Sequence, residues 1–180
     1  DDDCDNDVLL TSYANNKITW YINDGSGNFS AEQIISTSAN SEGSVYAIDI
    51  DGDGDNDVLS ASVVDNKIAW YRNDGSGNFS TQQIISSDAN TATSVYAIDL
   101  DADGDNDVLS ASVADDKIAW YINDGSGNFS GQQIISTDAN TATSVYATDL
   151  DGDGDNDVLS ASFDDNKIAY IKDYCSKKNV

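Results

Sequence analysis

Aspartates placed on alternate residues around a glycine carry the chemistry that this chain can do. In the stretch from Asp49 to Asp57, carboxylates stand at loop positions 1, 3, 5 and 9 (Asp49, Asp51, Asp53, Asp57), and Gly54 holds position 6. A chain that wraps back on an ion needs positive φ near its middle, which glycine tolerates without penalty. A hard divalent cation takes six to eight oxygens at about 2.3–2.6 Å, and alternating side chains on a tight loop supply several of them. The backbone carbonyl of position 7 (Asp55, Asp105, Asp155) fills a further place. The pattern recurs as Asp99, Asp101, Asp103, Gly104, Asp107 and again as Asp149, Asp151, Asp153, Gly154, Asp157. This pattern points to Ca2+ as the ligand.

An ordinary solvated turn is also rich in Asp and Gly. Strict recurrence of D-x-D-x-D-G-x-x-D in three complete copies favours the ion-binding reading. An EF-hand fits less well still, because its twelfth position carries a bidentate Glu and that place holds Ser60, Ser110 and Ser160. Pairs of carboxylates also serve glycoside hydrolysis as acid and base. Identical recurrence in every unit fits metal binding better than one catalytic centre, and with no histidine a non-enzymatic protein is expected.

Equivalent aspartates lie fifty residues apart (49, 99, 149), so the elements that hold them are tandem supersecondary units. Each unit reads as four strands. In the second, Ser44–Asp49 enters the loop, Val58–Val63 leaves it, Asp65-Asn66 turns into Lys67–Tyr71, and the turn Asn73–Asn78 leads to Phe79–Ile85. The polar stretch 86–93 joins the next unit. No segment shows helical apolar periodicity with start and stop signals. The expected fold is all-β, with four-stranded blades of the propeller type. The units run over residues 1–43 (incomplete), 44–93, 94–143 and 144–180 (incomplete) of a single repeat domain 1–180.

On these residues the chain resembles the FG-GAP (VCBS) repeat family, known from integrin α-subunit propellers, fungal lectins and secreted bacterial proteins. The resemblance rests on Asp49, Asp51, Asp53, Gly54 and Asp57 with Val58-Leu59, on the Asn-Asp-Gly-Ser-Gly-Asn-Phe turn from Asn73 to Phe79, and on their equivalents one and two periods on. It covers essentially the whole chain. It implies a calcium loop between the first and second strands of each blade, and it implies no single activity. The first copy departs from the pattern. Asp1 matches Asp51, so position 1 is missing, and Cys4 replaces the glycine. A weak or empty first site is the expectation.

The strand count is then three, four, four and three, which leaves the closure open. A disulfide between Cys4 and Cys175 would clamp the first unit to the last in a four-unit ring, the arrangement slightly favoured; two free thiols are the alternative. Completion of the end units by neighbouring chains or further sequence would instead give a larger ring or a fibre. A start inside a motif, without an initiator Met, points to a processed chain or a fragment.

Other residues offer secondary sites. The turn at Asp24, Asp74 and Asp124 could lend oxygens to a second ion, but such runs are usually glycine-permissive hairpins. Asn28, Asn78 and Asn128 each open an Asn-Phe-Ser triplet, the acceptor pattern for N-glycans, which the repeated turn also produces by itself. Trp20, Trp70 and Trp120, with Tyr170 in the fourth place, and Tyr46, Tyr96 and Tyr146 could stack on sugars; aromatics between apolar strand neighbours more often fill the space between blades.

Composition limits the partners. With 33 acidic and 8 basic residues the formal charge is -25, which argues against nucleic acid or an anionic membrane surface. No apolar run is long enough for membrane insertion. Loops of this kind suit millimolar calcium, hence an extracellular, secreted protein. The expected role is a structural or adhesion module that engages protein partners or copies of itself. Glycan binding between blades is the alternative.

Overall fold

The computed structural model describes residues 5–12 and 14–172. Its fourteen strands form four antiparallel meanders. The first contains β1 (Val8–Ser12), β2 (Lys17–Tyr21) and β3 (Gln33–Ser36), and the second β4 (Glu42–Ile48), β5 (Asp57–Ser62), β6 (Ile68–Tyr71) and β7 (Gln83–Ser86). The third contains β8 (Ala92–Ile98), β9 (Asp107–Ser112), β10 (Lys117–Tyr121) and β11 (Gln133–Ser136); the fourth contains β12 (Ala142–Thr148), β13 (Asp157–Ser162) and β14 (Lys167–Ile171). Blades of three, four, four and three strands are what the sequence pattern predicts.

The second strand of each blade shows why the blades stack. In β5 and β9 every residue is buried, although the sequence Asp-Val-Leu-Ser-Ala-Ser is only half apolar. Small residues alternate with branched ones, so both faces of the strand accept a close neighbour. Leu59, Ala61, Ile68 and Trp70 of the second blade pack on Val95, Ala97, Val108, Ala119 and Tyr121 of the third. One period on, Leu109, Ala111, Ile118 and Trp120 pack on Val145, Ala147 and Val158 of the fourth. Ile18 and Ile35 of the first blade likewise meet Val58 and Tyr71. Each buried branched side chain contributes about 1.5–3 kcal/mol.

The innermost strands stand side by side, β4 next to β8 and β8 next to β12. They carry a column of tyrosines: Tyr46 and Tyr96 have ring centroids 4.9 Å apart, and Tyr96 and Tyr146 4.5 Å. The expected aromatic filling is therefore seen, in tilted pairs.

Two details differ from the sequence expectation. The fourth strand begins at Gln83, not Phe79; Phe79 makes only an isolated bridge to Asn73. Ser80 interrupts the ladder, because its Oγ accepts the Arg72 N–H and donates to the Thr81 carbonyl. The inner strand of the third blade starts at Ala92, inside the supposed connection, with a bulge between Ala92 and Ser94.

The four-unit ring is not formed by the described residues. Ile168, equivalent to the fully buried Ile68 and Ile118, is 82% exposed, and Leu150 is 53% exposed where Leu100 is 2%. The blades make an open arc whose last face meets solvent. Cys4 and Cys175 lie outside the described residues.

Candidate metal centre

Each acidic loop hangs between the first two strands of its blade, anchored by its ninth residue. Asp57, Asp107 and Asp157 are completely buried at the start of β5, β9 and β13. The Asp57 Oδ1 accepts the Asn73 N–H at 2.7 Å and Oδ2 accepts the Ile50 N–H at 3.1 Å, tying the loop to the turn after β6. Asp107 repeats this with Asn123 and Leu100. Burial dominates their acidity and pushes Asp57 up to about 6 and Asp107 up to about 7. These are carboxylates that resist ionisation unless a positive charge comes near.

Position 1 closes the loop from the other side. Asp49 accepts Gly52 N–H on Oδ1 at 2.8 Å and Gly54 N–H on Oδ2 at 3.0 Å; Asp149 does the same with Gly152 and Gly154. Gly54, Gly104 and Gly154 have φ near +97°, as position 6 requires. Position 4 is glycine in two loops, while Ala102 holds the same left-handed conformation with φ 62°.

The structure gathers Asp49, Asp51 and Asp53 so that one oxygen from each lies within 4.8 Å of the others, and it does the same with Asp99, Asp101 and Asp103 and with Asp149, Asp151 and Asp157. It sets Asp55 and Asp105 apart from these groups. A Cβ built on Gly75 would lie 2.4 Å from Asp55 Oδ2, and one on Gly125 2.5 Å from both Asp105 oxygens. These carboxylates lie close against the glycine of the neighbouring turn. Asp153 stands beside Lys172, and Asp155 belongs to no cluster.

The donors are all oxygen, the set a hard divalent ion prefers. The Asp51 side chain is only 8% exposed, yet its Oδ1 is buried without a hydrogen-bond partner. A buried carboxylate oxygen of this kind costs free energy until something positive meets it. Calcium, which the resemblance implies, fits that requirement, and the gathered residues that would hold it are Asp49, Asp51 and Asp53, Asp99, Asp101 and Asp103, and Asp149, Asp151 and Asp157; Asp57 and Asp107 stand outside these groups, with both oxygens accepting backbone N–H groups.

Two features were not anticipated from sequence. The first is Asn at position 8. Asn106 Nδ2 donates to the Asp49 carbonyl at 2.8 Å and Asn156 Nδ2 to the Asp99 carbonyl at 2.7 Å, so loops 99–107 and 149–157 are each bonded to the loop one blade earlier. The invariance of Asn6, Asn56, Asn106 and Asn156 across the copies was the available signal. The second is a cation over two of the loops. Arg72 reaches Asp51 Oδ2 through Nε at 2.7 Å and Asp53 Oδ2 through Nη2 at 2.9 Å. Lys172, one hundred residues later, pairs with Asp151 and Asp153. The same position in the other blades is Ile22 and Ile122. The pairing shows in the acids: the hydrogen bond from Arg72 lowers Asp53, that from Lys172 lowers Asp151, and burial with the Asp53 charge raises Asp51.

The glycine-rich turns hold themselves together. Asp74 Oδ1 accepts the N–H of Ser76 and of Asn78, and both oxygens accept Asn78 Nδ2, which lowers the Asp74 pKa. Asp24 with Asn28 and Asp124 with Asn128 repeat the motif. The Asn of each Asn-Phe-Ser triplet is exposed and serves as a brace of its turn.

An FG-GAP-like repeat model matches residues 1–60, 49–110 and 99–160. No curated protein matches the chain in sequence. Among solved structures, a lectin of Agrocybe aegerita, described for its specific recognition of non-reducing terminal N-acetylglucosamine, is 19% identical with a TM-score of 0.60, over 81% of this chain and 41% of that one. The biofilm matrix protein Bap1 of V. cholerae is 20% identical with a TM-score of 0.53, over 91% of this chain and 24% of that one. The Tc holotoxin pore of Photorhabdus luminescens is 16% identical with a TM-score of 0.50, over 92% of this chain and 8% of that one. At these identities the likeness is one of fold, and the chain spans less than half the length of each.

Proposed function

The chain belongs to the FG-GAP-like repeat family, and from that premise we propose an extracellular, non-enzymatic module whose blades are stiffened by calcium and whose surfaces serve adhesion. The observation that carries this reading is the chain of loops: a buried aspartate under each loop, a buried Asp51 oxygen without a partner, and Asn106 and Asn156 tying each loop to the next blade. An ion in one loop would fix the carbonyl that the following blade holds. Cation binding and blade stacking are then one process, which suits a load-bearing extracellular part. The biofilm matrix neighbour supports an adhesive setting through its fold.

The exposed apolar face of the fourth blade supports contact with another protein or another copy. Ile168 stands out where its internal equivalents Ile68 and Ile118 are covered, and Phe163 is 72% exposed. A head-to-tail contact of that kind need not close on itself. Size measurement at increasing protein concentration, with calcium and with chelator, tests the proposal. Calcium-dependent compaction or assembly supports it, and a particle of unchanged size and stability in both conditions refutes it.

A second reading has its own observation. A cleft of about 440 Å3 lies between the first and second blades, with Trp20 and Phe79 beside Asp7, Asn6, Asn56 and Asn73. Aromatic faces next to amide and carboxylate groups suit a sugar ring, and the structurally similar fungal lectin gives this reading its precedent. Glycan-array binding that is lost on Trp20→Ala would favour it over the structural role.

A further inference from the structure

The acidic loops are alike in sequence and unlike in what sits above them. The residue that follows the third strand of each blade is Ile22, Arg72, Ile122 and Lys172 in turn. Arg72 spans Asp51 and Asp53 with two short charge-assisted contacts, and Lys172 spans Asp151 and Asp153. At the same position of the third blade, Ile122 packs into the apolar interface between the third and fourth blades. We infer that Arg72 and Lys172 are resident counter-ions that weaken divalent binding in loops 49–57 and 149–157.

This inference rests on the calcium reading and adds a resident competitor to it. A guanidinium hydrogen-bonded to two of the ligating aspartates neutralises them while the ion is absent. It repels a divalent ion that enters the same cluster. Both effects lower affinity, whether or not the arginine must swing away. Half of the Arg72 side chain is exposed, so solvent screens the repulsion, and about a tenfold change in dissociation constant is the size expected. Loops 49–57 and 149–157 would then exchange a built-in cation for an external one as calcium rises.

The test is calorimetric titration with calcium alone on the whole chain, in low salt, for the unaltered protein, Arg72→Gln and Ile122→Arg. Each comparison is made within one loop, so the Ala102 difference cancels. Arg72→Gln is expected to tighten one site about tenfold and Ile122→Arg to weaken one site by a similar factor. Thermal midpoints in chelator supply a second readout of opposite sign. Arg72→Gln should melt lower, having lost the neutralising charge, and should gain more from added calcium. Unchanged affinities in folded variants, or weaker binding in Arg72→Gln, would overturn the role given to Arg72. If none of the three proteins takes up calcium, the calcium reading itself fails, whatever the midpoints show.

Discussion

The second glycine of the turn after each third strand gives a test of blade stacking that does not depend on any ion. Gly27, Gly77 and Gly127 share nearly the same backbone, with φ of +85°, +75° and +74°. Their surroundings differ. A Cβ on Gly127 would sit 2.5 Å from Cζ2 and 2.8 Å from Cη2 of Trp70 in the preceding blade; on Gly77 it would sit 3.1 Å from Trp20 Cζ2; on Gly27 it would meet nothing within 4 Å. Alanine costs about 1 kcal/mol at each position for the left-handed backbone alone. At Gly127 the buried Trp70 must also move, which adds roughly 1–3 kcal/mol of overpacking. Gly27→Ala should therefore lose about 1 kcal/mol and Gly127→Ala about 3 kcal/mol, with Gly77→Ala between them. For a chain of this length the two extremes separate by roughly 4–8 °C in thermal midpoint. Urea unfolding followed by tryptophan fluorescence would measure the difference. Trp70→Phe, which removes the benzo ring that the new methyl strikes, should recover most of the extra loss in the double variant. Equal losses at Gly27 and Gly127, or no coupling to Trp70, would refute the interlock.

The loops give three further expectations. Asp103→Ala should lower the thermal midpoint in calcium and matter much less in chelator; equal losses in both would count against a metal role for that residue. Ala102→Gly should raise stability by about 0.4–1 kcal/mol, since it removes a side chain from a left-handed position that its counterparts fill with glycine; an unchanged urea midpoint would contradict this. In chelator, stability should fall as pH rises from 5 to 8. Asp57 and Asp107 have folded pKa values above the ordinary carboxylate value, at about 6 and about 7. The native state therefore holds protons that the unfolded state has already released, and their stabilising contribution is lost as pH passes through those values. Asp24, Asp74 and Asp124 are shifted down, so they contribute above the ordinary carboxylate value and lose that contribution only at lower pH. No histidine titrates in the window. With calcium bound, the ionised carboxylates are compensated and the decline should vanish; a flat chelator profile would show that burial of these groups is not felt.

Much of the fold was legible because three near-copies of one unit repeat every cue. The fifty-residue spacing of Asp49, Asp99 and Asp149 fixed the blades, and Val-Leu-Ser-Ala-Ser fixed the strand covered on both faces. The late start of the fourth strand was not legible, since it depends on Ser80 Oγ reaching Arg72 N across the turn. The loops were found from aspartate spacing. The contacts that link them were not, because the Asn106 bond to Asp49 spans 57 residues and exists only once blades are stacked. Arg72 is a single basic residue in one copy; its meaning needs both the register with Lys172 and the position of Asp51 in space. The openness of the arc likewise depends on what packs on Ile168, a question of neighbours and not of local pattern.

The joints between blades are interchangeable. Leu59, Ile68 and Trp70 meet Val108, Ala119 and Tyr121 in one joint, and Leu109, Ile118 and Trp120 meet Val158 in the next. The sequence thus encodes a kind of seam rather than a particular pair of partners. Duplication or deletion of one unit would leave every remaining seam intact, so array length can change without redesign of the units. The same freedom exposes the nascent chain to error, because a unit that skips its rightful neighbour finds an equally good one a period away.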